Sequence, residues 1–158
     1  GNKSLPLLKK AFEWARTINP TQPLTSGIWA DWLRDLNKFQ LENSDVISYH
    51  NYEYIDKHHK QIDSLKLKYG RPLICSEYMA RSKGSLFQTI MPLLKKENVG
   101  AINWGFVSGK TNTIFAWDTP IKSGKEPALW FHDILRKDGT PFSEDEIITI
   151  KRLTGKIK

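Results

Sequence analysis

Short apolar, β-branched runs alternate with amphipathic helical patterns along this chain, with no hairpin turn between them, and that alternation limits the folds open to it. Residues 4 to 18 carry Leu8, Ala11, Phe12, Ala15 and Ile18 at helical spacing, with Ser4 as a candidate cap and Pro6 in the first turn, where its missing N–H costs little. The run Pro23 to Ile28 follows, then a helical pattern through Trp32, Leu33, Leu36 and Phe39, then the run Asp45 to Tyr49. Ile55, Ile62, Leu65 and Tyr69 repeat at helical intervals up to Gly70. The pattern recurs in the run Arg71 to Ser76, a helix from Ser85 through Phe87, Ile90 and Leu94 with a kink expected at Pro92, and the run Val99 to Trp104. A loop holding Gly109, Pro120 and Gly124 leads to a helix expected from Pro127 through Leu129, Trp130, Ile134 and Leu135. A last helix spans 142–158, opened by a capping box of Ser143 and Glu146 and closed at Gly155.

Strands joined only through helices must run parallel and be covered by those helices, which gives an α/β fold. An open doubly wound sheet and a closed (β/α)8 barrel both satisfy the pattern. Neither GxGxxG nor GxxxxGK[ST] occurs, so the turn that marks a nucleotide-binding open sheet is missing and the barrel is favoured. A whole barrel takes about 250 residues. The 158 residues here supply four strands, so the expectation is the C-terminal half of a TIM barrel, a single partial domain over 1–158. Two open sheet edges would then favour self-pairing or poor solubility.

Composition removes several other classes. With 39% apolar and 26% charged residues the chain can bury a core, and no apolar run is long enough to span a membrane. No signal peptide is visible in Gly1-Asn-Lys-Ser. The single cysteine, Cys75, rules out an internal disulfide and lies in a run that reads as a buried strand. The net charge of +7 is scattered: Lys9, Lys10, Lys57, Lys60, Lys66, Lys68, Lys95 and Lys96 fall on solvent faces of expected helices, which argues against a nucleic-acid partner. His58 and His59 point about 100° apart on a helix, too far to share a metal ion easily.

In a barrel the chemistry gathers where the strands end. The four apolar runs end at Trp29, at His50-Asn51-Tyr52, at Glu77-Tyr78 and at Trp104, with separations of 21, 27 and 27 residues, close to the roughly 30 of one βα unit. A carboxylate directly after a buried run calls for an ion pair or a function. Retaining glycoside cleavage needs a carboxylate nucleophile, a neighbour that orients it and an apolar surface for the sugar ring. Glu77, Tyr52 and Trp104 have those properties, and the Tyr52 phenol is placed to hold Glu77 aligned by a hydrogen bond. His50 suits either a hydroxyl or carboxylate contact or strand-end packing. Trp29, Trp32 and Trp117 fit a sugar platform or a core, whereas Trp14 and Trp130 read as helix packing. Asp118 and Glu53 are loop charges near the mouth.

The run Arg71 to Arg81 around Glu77, with Ser48-Tyr-His50-Asn51-Tyr52 and Ala101-Ile-Asn-Trp104-Gly-Phe, resembles the last three strands of clan A glycoside hydrolases, especially the cellulase-like family 5. That resemblance implies Glu77 as catalytic nucleophile, His50 and Tyr52 beside it, and Trp104 against the scissile sugar; Trp29, Asn51 and Trp117, at or near the same mouth, are the further candidate substrate contacts. It implies a carbohydrate substrate and neither metal nor cofactor. It also implies an acid/base Glu within Asn-Glu-Pro at the end of the fourth strand, a motif this sequence lacks. The missing acid would lie in an N-terminal half acting as partner to this one, and the isolated chain is expected to be inactive. Enzymes of this type are often exported. Two other readings remain at this point: a carbohydrate-binding barrel without catalysis, and an unrelated barrel enzyme using Glu77 as a base.

Overall fold

The computed structural model describes residues 2–119 and 125–157; Pro120 and Gly124 of the expected loop lie outside the described residues. The elements run α1 (Leu5–Thr17), α2 (Arg34–Asn43), β1 (Ile47–His50), α3 (Ile55–Tyr69), β2 (Leu73–Glu77), α4 (Phe87–Lys96), β3 (Gly100–Ala101) and α5 (Glu144–Leu153), with short 3-10 turns at Asn2–Ser4 and Arg81–Lys83. The strands form one parallel sheet in the order β1-β2-β3. Ile28 adds a single parallel bridge to Tyr49 on the other edge of β1, so consecutive chain segments lie side by side in chain order.

Alternation along each strand decides what is buried. Ile47, Tyr49, Leu73 and Cys75 share one core with Ile62 and Leu65 of α3 and with Phe87, Ile90 and Leu94 of α4, so the helices cover that face. Burial pushes the Cys75 thiol up to about 12, as fits a structural side chain rather than a reactive one. On the alternate positions Ser48 pairs with Ile74, and Ile74 and Ser76 are only half-buried. The eight lysines expected on helix surfaces are all exposed. Among the described residues no helix is long and apolar enough to cross a membrane.

Several expectations give way to tertiary packing. The run Pro23 to Ile28 pairs only at Ile28, and the run Val99 to Trp104 is a strand over two residues. Gly100 lies where an added Cβ would come within 3.2 Å of the Ile74 side chain, so β3 approaches β2 closely. The helix expected from Pro127 to Leu135 does not form. Trp130, Phe131, His132, Asp133 and Ile134 are buried in succession, which no helix lying on a surface can achieve. That segment is instead held by Arg81, whose side chain donates to the carbonyls of Trp130 (3.1 Å) and Asp133 (3.0 Å) while its backbone N–H donates to Phe131 O.

The capping box at Ser143 also fails, because Glu146 turns inward to pair with Arg81 at 2.6 Å and Ser143 makes no side-chain cap. Helix α4 begins at Phe87 rather than Ser85; Ser85 is buried and its hydroxyl donates to Tyr78 O. Pro92 stands inside α4 without ending it, and it lies on the exposed side, where water can serve the carbonyl that loses its partner. Trp14, expected to pack inward from α1, is 59% exposed.

His58 shows what the core costs at low pH. It is fully buried on α3, with Nε2 3.4 Å from Ser85 Oγ. Burial lowers its pKa from 6.5 to about 4, partly offset by the backbone of Glu53 and Asn51. The unfolded chain therefore binds a proton that the folded chain refuses between those values. Stability is full above pH 6.5 and is lost as pH falls toward 4, by on the order of 3 kcal/mol. Urea unfolding from pH 7 to 4.5 measures that slope. It is expected to flatten by up to one proton in His58→Asn, and an unchanged slope would assign the loss elsewhere.

Candidate functional site

The site begins with an irregularity in the sheet. Tyr49 pairs with Cys75, but the next pair is His50 with Glu77, so one residue of β2, Ser76, is extra. A bulge of this kind re-aims the side chains beyond it, and here it brings His50 and Glu77 abreast at the C-terminal ends of adjacent strands. The Asn51 N–H then donates to Glu77 O at 2.9 Å and closes the pairing.

Two side chains meet at Glu77. The Tyr52 hydroxyl donates to Glu77 Oε2 at 2.5 Å, and His50 Nδ1 lies 3.3 Å from the same oxygen. Burial and the bond to Glu77 both raise the Tyr52 pKa, so the phenol keeps its proton and remains a donor. The Glu77 side chain is 20% exposed, open enough for a ligand to reach. His50 is seated over a glycine: a Cβ on Gly27 would come 3.3 Å from His50 Nε2.

An aromatic wall continues from Tyr52. Trp117 meets Tyr52 edge-on at 4.9 Å between ring centroids and Phe131 at 4.7 Å, while His132 lies 5.3 Å from Tyr52 and 5.7 Å from Trp117. Trp117 is 64% exposed, so its outer face is available to a ligand rather than part of a core. In comparisons, no protein-family model, curated protein or solved structure matches this chain.

The remaining expected residues divide. Trp104, after β3, is 51% exposed, and the preceding Asn103 donates to Gly105 O at 2.6 Å, fixing the turn beneath it. Gly105 has φ +90°, and a Cβ there would meet Asp133 Oδ1 at 2.7 Å, so only glycine fits that approach. Trp29 is 59% exposed and stands against Trp32 in an edge-on pair at 5.6 Å. It follows Ile28, whose carbonyl accepts the His50 N–H at 2.9 Å, so Trp29 comes directly after the segment paired with His50.

Asn51, expected as a substrate contact, has its side chain engaged within the fold. It is 8% exposed; Nδ2 donates to Gln61 Oε1 at 2.7 Å, and Oδ1 accepts the Glu53 N–H at 2.9 Å, forming the turn that presents Tyr52.

The residues that sequence reasoning missed are His132 and its neighbours Phe131 and Asp133. The helical reading of 127–135 concealed them, because Leu129, Trp130, Ile134 and Leu135 carry helical spacing and His132 and Asp133 fall where a helix would have its polar positions. Asp133 is fully buried, accepts from Thr113 Oγ1 on both oxygens (2.9 and 2.8 Å) and ties the loop of Trp117 to the segment of His132. A cavity of about 480 Å³ between Ser108, Asn112, Trp130 and Arg136 includes none of the Glu77 group in its lining.

Proposed function

We propose that this chain carries the nucleophile of a retaining glycoside hydrolase acting on β-glycosidic bonds of oligo- or polysaccharides, built on part of a (β/α)8 barrel. The observation that carries the reading is the arrangement at Glu77: a phenol donor and an imidazole on one carboxylate oxygen, Oε2, at the C-terminal ends of parallel strands. Parallel strands adjacent in chain order, with helices on one face and the half-buried Ile74 and exposed Ile102 outside that core, are what one part of such a barrel presents.

In this mechanism Tyr52 and His50 hold Oε2, leaving Oε1 to attack the anomeric carbon. The bond from that carbon to the leaving oxygen breaks, and the leaving oxygen takes a proton from a second carboxylic acid. Water then attacks the glycosyl ester, gives its proton to that second carboxylate and frees Glu77, so configuration is retained. Retention needs the second carboxyl about 5 to 5.5 Å from the first. The family resemblance assigns it to an Asn-Glu-Pro segment that this sequence does not contain. Trp117 and Trp104 supply apolar faces for the sugar rings, and Trp29 with Trp32 extends that surface beyond His50.

A slow-turnover 2-fluoro glycoside traps the glycosyl ester. With the protein that provides the acid, mass spectrometry of the digest is expected to place the label on the peptide containing Glu77. A covalent label on any peptide lacking Glu77 overturns the proposal, as does an inverted product anomer.

A further inference from the structure

We infer that His132 is a positioning residue for the Tyr52–Glu77 pair, acting through the face of its ring on Tyr52 rather than through contact with a ligand. Three connections place it. Its Nδ1–H donates to Met79 O at 2.6 Å, two residues beyond Glu77, which ties the imidazole to the end of β2. Its ring lies 5.3 Å from Tyr52 at 45° and 5.7 Å from Trp117 at 54°, completing a triangle with the phenol that holds Glu77 and the exposed indole. Its own carbonyl receives Asn103 Nδ2 at 3.4 Å, linking it to the turn that carries Trp104. One buried residue thus touches the segments bearing Glu77, Tyr52, Trp117 and Trp104.

The nitrogens divide the work. The bond to Met79 O fixes the proton on Nδ1, and Nε2, buried, has no hydrogen-bond partner among the described residues. Protonating Nε2 would create a buried cation with an unpaired donor, and burial accordingly lowers the His132 pKa. The ring stays neutral and acts as a fixed wall. A swing of Tyr52 about its Cα–Cβ bond would carry the hydroxyl away from Glu77 and open the 2.5 Å bond, and the His132 ring packed against Tyr52 opposes that swing on one side.

Two substitutions separate this role from simple propping of the backbone. In His132→Asn the amide Nδ2 takes the place of Nδ1 and keeps the bond to Met79 O, but the ring is gone. In His132→Phe the ring remains and the bond is gone. The readout is the tyrosine Raman doublet of Tyr52 in the 158-residue chain, obtained at pH 7 as the difference from Tyr52→Phe, whose intensity ratio reports how strongly the phenol donates its hydrogen bond, with circular dichroism showing each variant folded. Positioning by the ring predicts that His132→Asn moves this ratio from that of a strong donor toward that of a phenol in water, and that His132→Phe keeps the ratio of the parent chain. If His132→Asn gives the ratio of the parent chain, or His132→Phe is the variant that shifts, the residue is only a strut for Met79 O and the inference fails.

The consequence for catalysis rests on the glycosidase reading, whereas the coupling to Tyr52 does not. Where turnover is measured, His132→Asn is expected to lower kcat about tenfold with KM changed less than about twofold, because the ring supports the nucleophile and does not touch the sugar. Absence of turnover in the parent would remove the glycosidase reading and leave the Tyr52 Raman doublet as the test of His132.

Discussion

Glu77→Gln is expected to lower glycosidase turnover by about 10⁴-fold or more while leaving carbohydrate binding within a few-fold, because an amide keeps the shape and loses the nucleophile. The variant also loses the anion that Tyr52 and His50 grip, so a small change in affinity is expected. A second variant, Glu77→Gly, opens a space beside Tyr52 into which azide can enter. Azide added to it is expected to restore turnover and to give a glycosyl azide of inverted configuration, since the ester step is bypassed. Turnover of Glu77→Gln within tenfold of the parent would remove Glu77 from the chemistry. Sugar binding in a parent that never turns over would favour a carbohydrate-binding barrel instead.

Glu146→Ala is expected to destabilise the fold by about 3–5 kcal/mol, the largest stability effect of a single side chain here. Arg81 and Glu146 are 3% and 5% exposed, and two hydrogen bonds, 2.8 Å from Nε and 2.6 Å from Nη2, join them. Removing the carboxylate leaves a buried cation whose remaining contacts are two backbone carbonyls and the Phe142 ring at 4.6 Å. Arg81 anchors the Trp130 to Asp133 segment, so the loss should spread to His132 and the Tyr52 wall. Denaturant unfolding measures the first effect, and tryptophan fluorescence of Trp117 against Trp117→Phe reports the second. A loss below about 1 kcal/mol would show that this pair is not holding the segment. Replacing both residues with apolar ones should recover only part of the stability, because the Trp130 and Asp133 carbonyls would still lose Arg81 as donor.

Much of the candidate site was legible because β-strands place residues by simple counting. The ends of the runs at His50 and Glu77 fall where periodicity put them, and the parallel arrangement follows from helical connections of that length. Tyr52 beside Glu77 was readable from its position two residues past a strand end. Trp117 was named without a location, since nothing local said that its loop folds back over Tyr52. His132 was not legible: its neighbours Trp130 and Ile134 carry helical spacing, and long-range bonds from Arg81 and to the backbone of Phe106, Thr113 and Ile114 hold the segment out of a helix. Arg81 also defeated the capping box, whose sequence pattern is intact while its glutamate is engaged 65 residues away.

The sequence by itself determined the alternation of helix and strand, the parallel direction of the sheet, the burial of Cys75 and the exposure of the scattered lysines. Each of these depends on contacts within a few residues or on a repeating pattern that local sterics and water enforce. Only the tertiary structure decided the bulge at Ser76, the meeting of Tyr52 and His50 on one oxygen of Glu77, the structural use of Asn51 and the placing of His132. Those features depend on where groups far apart in the chain find hydrogen-bond partners once water is excluded, and a buried polar atom accepts whichever partner the fold brings within reach.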